Sequence, residues 1–184
     1  MKIYTLKIVL RGISPLIWRR LRVPGTLSLA QLHYVIQTLY GWDDENLHQF
    51  HIYGKDYGIN YEGGLGYSDN AYQVYLDDFA FDAGDKLSYE YNFFDHWIHD
   101  IRIEDIEESV ENRELVYCMK GSGMPGANPS DEIKLMAKFL KLIADNKKPT
   151  MRQELSDLME QLNAIRFNRQ LINRQLNELT SDHL

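Results

Sequence analysis

The sequence predicts an α+β fold: a mixed β-sheet packed on one helix, similar to a β-grasp arrangement, with a C-terminal helical extension. Three observations predict it. Several segments within the first 104 residues alternate apolar and polar side chains with the period of a strand. One segment among them, residues 28–42, carries the start, stripe and stop signals of an amphipathic helix. From residue 131 onward the alternation gives way to helical spacing.

Taken in order, "IYTLKIVL" (3–10) places Tyr4, Leu6, Ile8 and Leu10 on one strand face. "LIWRRLRV" (16–23) then sets Ile17, Leu21 and Val23 opposite Trp18, Arg20 and Arg22, with Gly12, Ser14 and Pro15 as the turn between the two segments. One face of this strand pair is therefore basic and bears an indole. The helix follows: Ser28 is its N-cap, Gln31 completes a capping box, Leu29, Leu32, Val35, Ile36 and Leu39 form the stripe, and Gly41 ends it. "LHQFHIY" (47–53) reads as a strand, and the glycine-rich stretch 54–72 as a long loop. Its Gly63-Gly64-Leu65-Gly66 opens no helix, which excludes a phosphate loop.

"KLSYEYNF" and "WIHDIRIED" alternate as two strands, with Phe94, Asp95 and His96 at the tip between them. His99 is in phase with Trp97, Ile101 and Ile103, so it points with the apolar set. Gly121, Gly123, Pro125, Gly126 and Pro129 mark a loop, beyond which "SDEIKLMAKFLKLIADN" reads as a helix. Thr150 and Gln153 make a second capping box. Leu155, Leu158, Leu162, Ile165, Arg169, Ile172, Leu176 and Leu179 then run in 3-4 spacing as a heptad seam. A domain at 1–130 and a two-helix extension at 131–184 are thus expected. The seam suits docking on the chain's own core, pairing with the preceding helix, or pairing with a second copy.

Composition narrows the function. The single cysteine, Cys118, has no internal disulfide partner, and no leader pattern stands at the N-terminus, so a reducing, cytoplasmic setting is expected. No window approaches the roughly 20 apolar residues a membrane span requires. Charge is segregated: residues 1–42 hold six bases and no acid, while residues 43–114 hold nineteen acids against four bases. Such asymmetry suits either a nucleic-acid patch at the basic end or packing of two parts of opposite sign.

The chemistry-bearing residues are few. "YNFFDHWIHDI" (91–101) crowds two histidines and two aspartates, but His96 and His99 fall on opposite faces of a strand, so a metal pair there is not expected. Were a metal bound, Asp95, His99 and His48 are the ligands to test. His33 lies beside the helix stripe and reads as a packed or boundary side chain. Cys118 lacks the basic or helix-start context of a reactive thiol, and no serine sits in a nucleophile elbow. No catalytic residue, resident metal or cofactor is expected.

The run from "YTLKIVLRGISPLIWRRLRV" through "GWDDENLHQF", then "LSYEYNFFDHWIHDIRIE", resembles the plasmid pRiA4b ORF-3-like family over approximately residues 3–130. Trp18-Arg19-Arg20, Gly41-Trp42, His48-x-Phe50 and Asp95-x-Trp97-x-His99 carry the resemblance. Asn46, Asn92-Phe93-Phe94 and "NPSDE" depart from the family's pattern. The resemblance implies an α+β fold and an origin near mobile elements, without a defined activity. Two functions are expected from the whole reading. One is a non-enzymatic binding or adaptor domain that contacts a protein through Trp18, Arg19, Arg20 and Arg22 and self-associates through its heptads. The other is a nucleic-acid-associated protein using the same basic hairpin. A metal-dependent enzyme ranks behind both.

Overall fold

In the computed structural model, residues 1–13, 16–108, 116–124, 137–138, 140–141, 144, 153–158, 161 and 166–183 are described. Seven strands make one sheet: β1 (Lys2–Leu10), β2 (Trp18–Pro24), β3 (His48–Ile52), β4 (Lys55–Tyr57), β5 (Lys86–Tyr91), β6 (Trp97–Glu108) and β7 (Tyr117–Ser122). Their spatial order is β4-β3-β5-β6-β1-β2-β7, and every pairing is antiparallel. The sheet is therefore not mixed, and the parallel pair that a mixed, β-grasp-like sheet would need is absent from it. The helical crossover after β2 does not return to a parallel neighbour. It carries the chain to the far half of the sheet, and β5, β6 and β1 lie between β3 and β2.

Helix α1 (Leu29–Tyr40) covers one face. Its capping box forms as the sequence indicates: Ser28 Oγ accepts from the Gln31 N–H at 3.2 Å, and Gln31 Oε1 accepts from the Ser28 N–H at 2.9 Å. Gly41 closes it at φ 67°, a left-handed position that glycine occupies without the Cβ penalty. The stripe Leu29, Leu32, Val35, Ile36 and Leu39 is buried against Leu6, Ile8, Phe50, Tyr89, Ile101 and their neighbours on the sheet's inner face. Each such side chain, fully buried, contributes about 1.5–3 kcal/mol.

Two strands escape the sequence pattern. β4 lies inside the expected long loop, reached through a tight turn at Tyr53 and Gly54, both at positive φ (48° and 80°). Three residues are too few to show alternation. β7 includes Gly121, which had read as a loop residue. A Cβ there would sit 2.7 Å from the Phe167 ring and 2.8 Å from the Trp18 carbonyl oxygen, so glycine is required by close approach rather than by a turn.

The C-terminal helix α2 (Arg169–His183) packs on α1 and β7 and adds Ile172 and Leu176 to the same core. The heptad seam is not one continuous helix. Residues 166–168 leave helical geometry, Asn168 caps α2 by accepting from the Leu171 N–H at 3.1 Å, and Phe167 packs against the core. Arg169, the polar residue in the seam, donates to the Met119 carbonyl at 3.3 Å. Most of the expected 130–146 helix, the Thr150 cap and the seam positions Leu162 and Ile165 lie outside the described residues.

Candidate functional site

The two faces of the sheet carry different chemistry. On the outer face, Lys7 Nζ and the Arg20 guanidinium approach the Trp18 ring at 5.3 and 5.6 Å. Arg20 forms a two-pronged bond to Glu104 at 2.5 and 3.0 Å, Arg22 meets Glu107 at 2.8 Å, and Arg11 pairs with Asp100. The basic hairpin is thus zipped to acids of β6. The segregated charge of the sequence is largely one strand matched against another.

Arg19, expected with its neighbours on the binding surface, points the opposite way and is fully buried. The strand's alternation requires this, since Arg19 shares the inner face with Leu21 and Val23. Its guanidinium lies between the Tyr40 and Phe167 rings at 4.9 and 4.7 Å. It donates to the carbonyls of Leu39, Trp18 and Ser122 at 2.9–3.0 Å. It is a clamp on the C-terminal end of α1, not a contact for a partner.

The family-motif residues serve the core. Phe50 is fully buried against Tyr89 at 4.9 Å. Trp42 and Trp97, 5.3 Å apart, are only partly buried and form a small stack with Tyr91. His99 is buried edge-on to Tyr40 at 4.6 Å, its Nδ1 donating to the Trp97 carbonyl. Burial lowers its imidazole to about 4. Asp95 sits at the exposed hairpin tip, where Asn92, at φ 56°, binds its carboxylate at 2.9 Å. Asp95, His99 and His48 are therefore not one site.

His48 instead meets His33. α1 and β3 bring their rings to 3.6 Å with 12° between the planes, both buried inside the domain. His33 belongs to a closed ring of hydrogen bonds. The Gln37 amide donates to the Tyr89 hydroxyl oxygen at 2.8 Å, which leaves the hydroxyl hydrogen for His33 Nδ1, also at 2.8 Å. We assign the remaining His33 proton to Nε2, which donates to Asp44 Oδ1 at 2.7 Å. The Asp44 N–H in turn donates to Gln37 Oε1 at 2.9 Å. This last bond holds Asp44 at φ 56°, a strained position for a residue other than glycine.

The histidine outside that ring is poorly satisfied. His48 is 1% exposed, its Nδ1 has no hydrogen-bond partner, and its Nε2 has only the Ile59 N–H at 3.5 Å. Burial first, and the neighbouring His33 second, lower its imidazole to about 2, so it is neutral at any ordinary pH. Burial likewise holds the Tyr89 hydroxyl well above its usual range, as a neutral group. One nitrogen or oxygen from each of His33, Asp44 and His48 lies within 4.8 Å of the other two. Only Asp44 reaches solvent, with 31% of its side chain exposed.

Sequence reasoning marked His48 but missed the site. His33 had read as a packed side chain, and Asp44 and Tyr89 had not been singled out. The available signal was the i, i+4 spacing of His33 and Gln37 on the sheet-facing side of α1, with Asp44 four residues past the helix end.

Comparison with known proteins adds kinship without an activity. An uncharacterized protein, y4hQ, of Sinorhizobium fredii (strain NBRC 101917 / NGR234) is 38% identical over 101 residues. That match covers 54% of this chain and 52% of the relative, so the chain spans about half the length of the curated relative it matches. The crystal structure of a protein of unknown function, MM3350 from Methanosarcina mazei Go1, superposes with a TM-score of 0.63 at 25% identity, covering 92% of this chain and 96% of that one. The family model described as Plasmid pRiA4b ORF-3-like protein matches residues 2–175, from β1 into α2, and the chain belongs to that family.

Proposed function

We propose that the protein is a binding domain rather than an enzyme, and that its working site is the stacked His33–His48 pair with the partly exposed Asp44 beside it. The observation that carries this reading is His48, an imidazole 1% exposed whose Nδ1 has no hydrogen-bond partner and whose Nε2 has only the 3.5 Å approach of the Ile59 N–H. Burying a polar group unmatched costs on the order of 1–3 kcal/mol, and a ligand that satisfies it recovers that cost. The absence of a usable nucleophile among the described residues favours binding over catalysis. Burial pushes the Cys118 thiol up to about 11, and Tyr89 stays neutral.

The test is protein NMR of the imidazole signals against a panel of small amines, carboxylates, phosphates and metal ions. The reading expects at least one class to move His33 and His48 while leaving the Trp18 indole signal in place. Responses confined to Trp18 contradict it.

A second reading, an adaptor that docks a protein on the outer sheet face, rests on the Trp18 ring, approached there by the Lys7 and Arg20 cations. Nucleic-acid binding by the same face is less favoured, because Arg20 and Arg22 already spend their charge on Glu104 and Glu107. Steeply salt-dependent binding to single-stranded nucleic acid, lost in Arg20→Glu, would restore that reading. Self-association through the heptads is less favoured too, since Ile172 and Leu176 are spent on the chain's own core.

A further inference from the structure

We propose that His33, His48 and Asp44 together bind one divalent transition-metal ion of the zinc class, an inference that rests on the pocket reading above and names its ligand. Two imidazoles and a carboxylate are the donor set that such ions favour over magnesium or calcium, which take all-oxygen shells. The three residues come from α1, the α1–β3 connection and β3, so the fold rather than one flexible segment assembles them.

Three independent features fit the ion. His48 is buried with its Nδ1 unmatched, so its surroundings lack a partner for it. The other ring has an outer partner in place: with His33 Nε2 on the ion, its proton moves to Nδ1, which faces the Tyr89 hydroxyl at 2.8 Å. Such a hydrogen bond behind a ligating imidazole fixes its orientation. Asp44, the only exposed member, gives the ion a route from solvent and supplies negative charge beside two neutral ligands.

The stacked rings must move for this to happen. An ion about 2.0–2.1 Å from a histidine nitrogen lies close to the plane of that ring, and two rings 3.6 Å apart with planes 12° from parallel cannot share one ion. Binding therefore opens the stack by turning one imidazole. His48 gives up fewer hydrogen bonds than His33 on turning, only the 3.5 Å approach of the Ile59 N–H, while its contacts with the Phe50, Tyr61 and Tyr89 rings must readjust. Three protein ligands leave coordination positions for water or for a donor from a partner.

The experiment is calorimetric titration of the full-length, chelator-treated protein with zinc chloride, repeated with Asp44→Asn, His48→Gln and the control His51→Gln. His51 is exposed and paired with Asp56, away from the pocket. Asp44→Asn changes a partly exposed side chain and keeps its shape, so it reads binding without risking the fold. The expected result is one equivalent bound by wild type and by His51→Gln, with affinity reduced about tenfold or more in Asp44→Asn and His48→Gln. No binding by wild type, or binding lost only in His51→Gln, overturns the proposal. If zinc leaves the pocket signals unchanged while a non-metal class of the panel shifts them, the metal falls and the pocket reading stands. If no class shifts them, both fall.

Discussion

At the scale of single residues, the chain places polar groups where they are costly and makes each cost specific. Arg19 is the clearest case. "WRR" reads as a basic patch, yet strand alternation turns its middle arginine inward, where it donates to three backbone carbonyls. Arg19→Met is expected to lower unfolding free energy by on the order of 3 kcal/mol in urea denaturation, and Arg19→Lys should not restore it, because an ammonium lacks the planar fork. Alternation was legible in the sequence; that a charged residue would follow it into the core was not, since partners supplied by α1 and β7 are distant in sequence. His99 sets a second expectation at this scale. Its folded value of about 4 lies below the unperturbed value near 6.5. The unfolded chain thus binds the extra proton, and stability present above pH 6.5 is lost as pH falls from there toward 4. The slope contributed is at most about 1.4 kcal/mol per pH unit. Urea midpoints measured between pH 7 and 4.5 should fall less steeply in His99→Phe than in wild type; parallel slopes would contradict this.

At the scale of elements, α1 was legible from end to end because its signals are local. Ser28, Gln31 and Gly41 each act within four residues of their partners. The seam of α2 was legible as an apolar stripe but not as to its partner, since spacing records that a helix is covered and not by what. The partner is partly the edge of β7. There the Asn173 side chain accepts from the Cys118 N–H at 2.7 Å and donates to the Cys118 carbonyl at 3.0 Å, standing in for a neighbouring strand. An unpaired edge is a template for association. Asn173→Leu is therefore expected to lower stability by roughly 1–3 kcal/mol and to raise aggregation on heating, read by light scattering during a thermal ramp. An unchanged melting temperature and no added scattering would remove the edge-capping role.

At the scale of the whole molecule, one sheet carries an inner face that organises the pocket and an outer face that cancels its own charge. The pocket was only half legible: His48 stands in a family-motif position, but it meets His33 because α1 crosses over β3 and β5, a packing no local pattern encodes. The same view makes α2 integral to the core. A chain ending at Asn168 loses the burial of Ile172 and Leu176, each about 1.5–3 kcal/mol, and uncovers β7. Its melting temperature is expected to fall by on the order of 10 °C, where a purely self-associating helix would change mass and leave the melt alone. The central claim, that His48 is the waiting member of a binding pocket, is read most directly by long-range proton–nitrogen NMR of the imidazoles before and after one equivalent of zinc. The account predicts a large shift of a His48 ring nitrogen, a change of the His33 tautomer toward Nδ1–H, and unchanged His51 and His96 signals. An unmoved His48, with shifts confined to the exposed histidines, would contradict it.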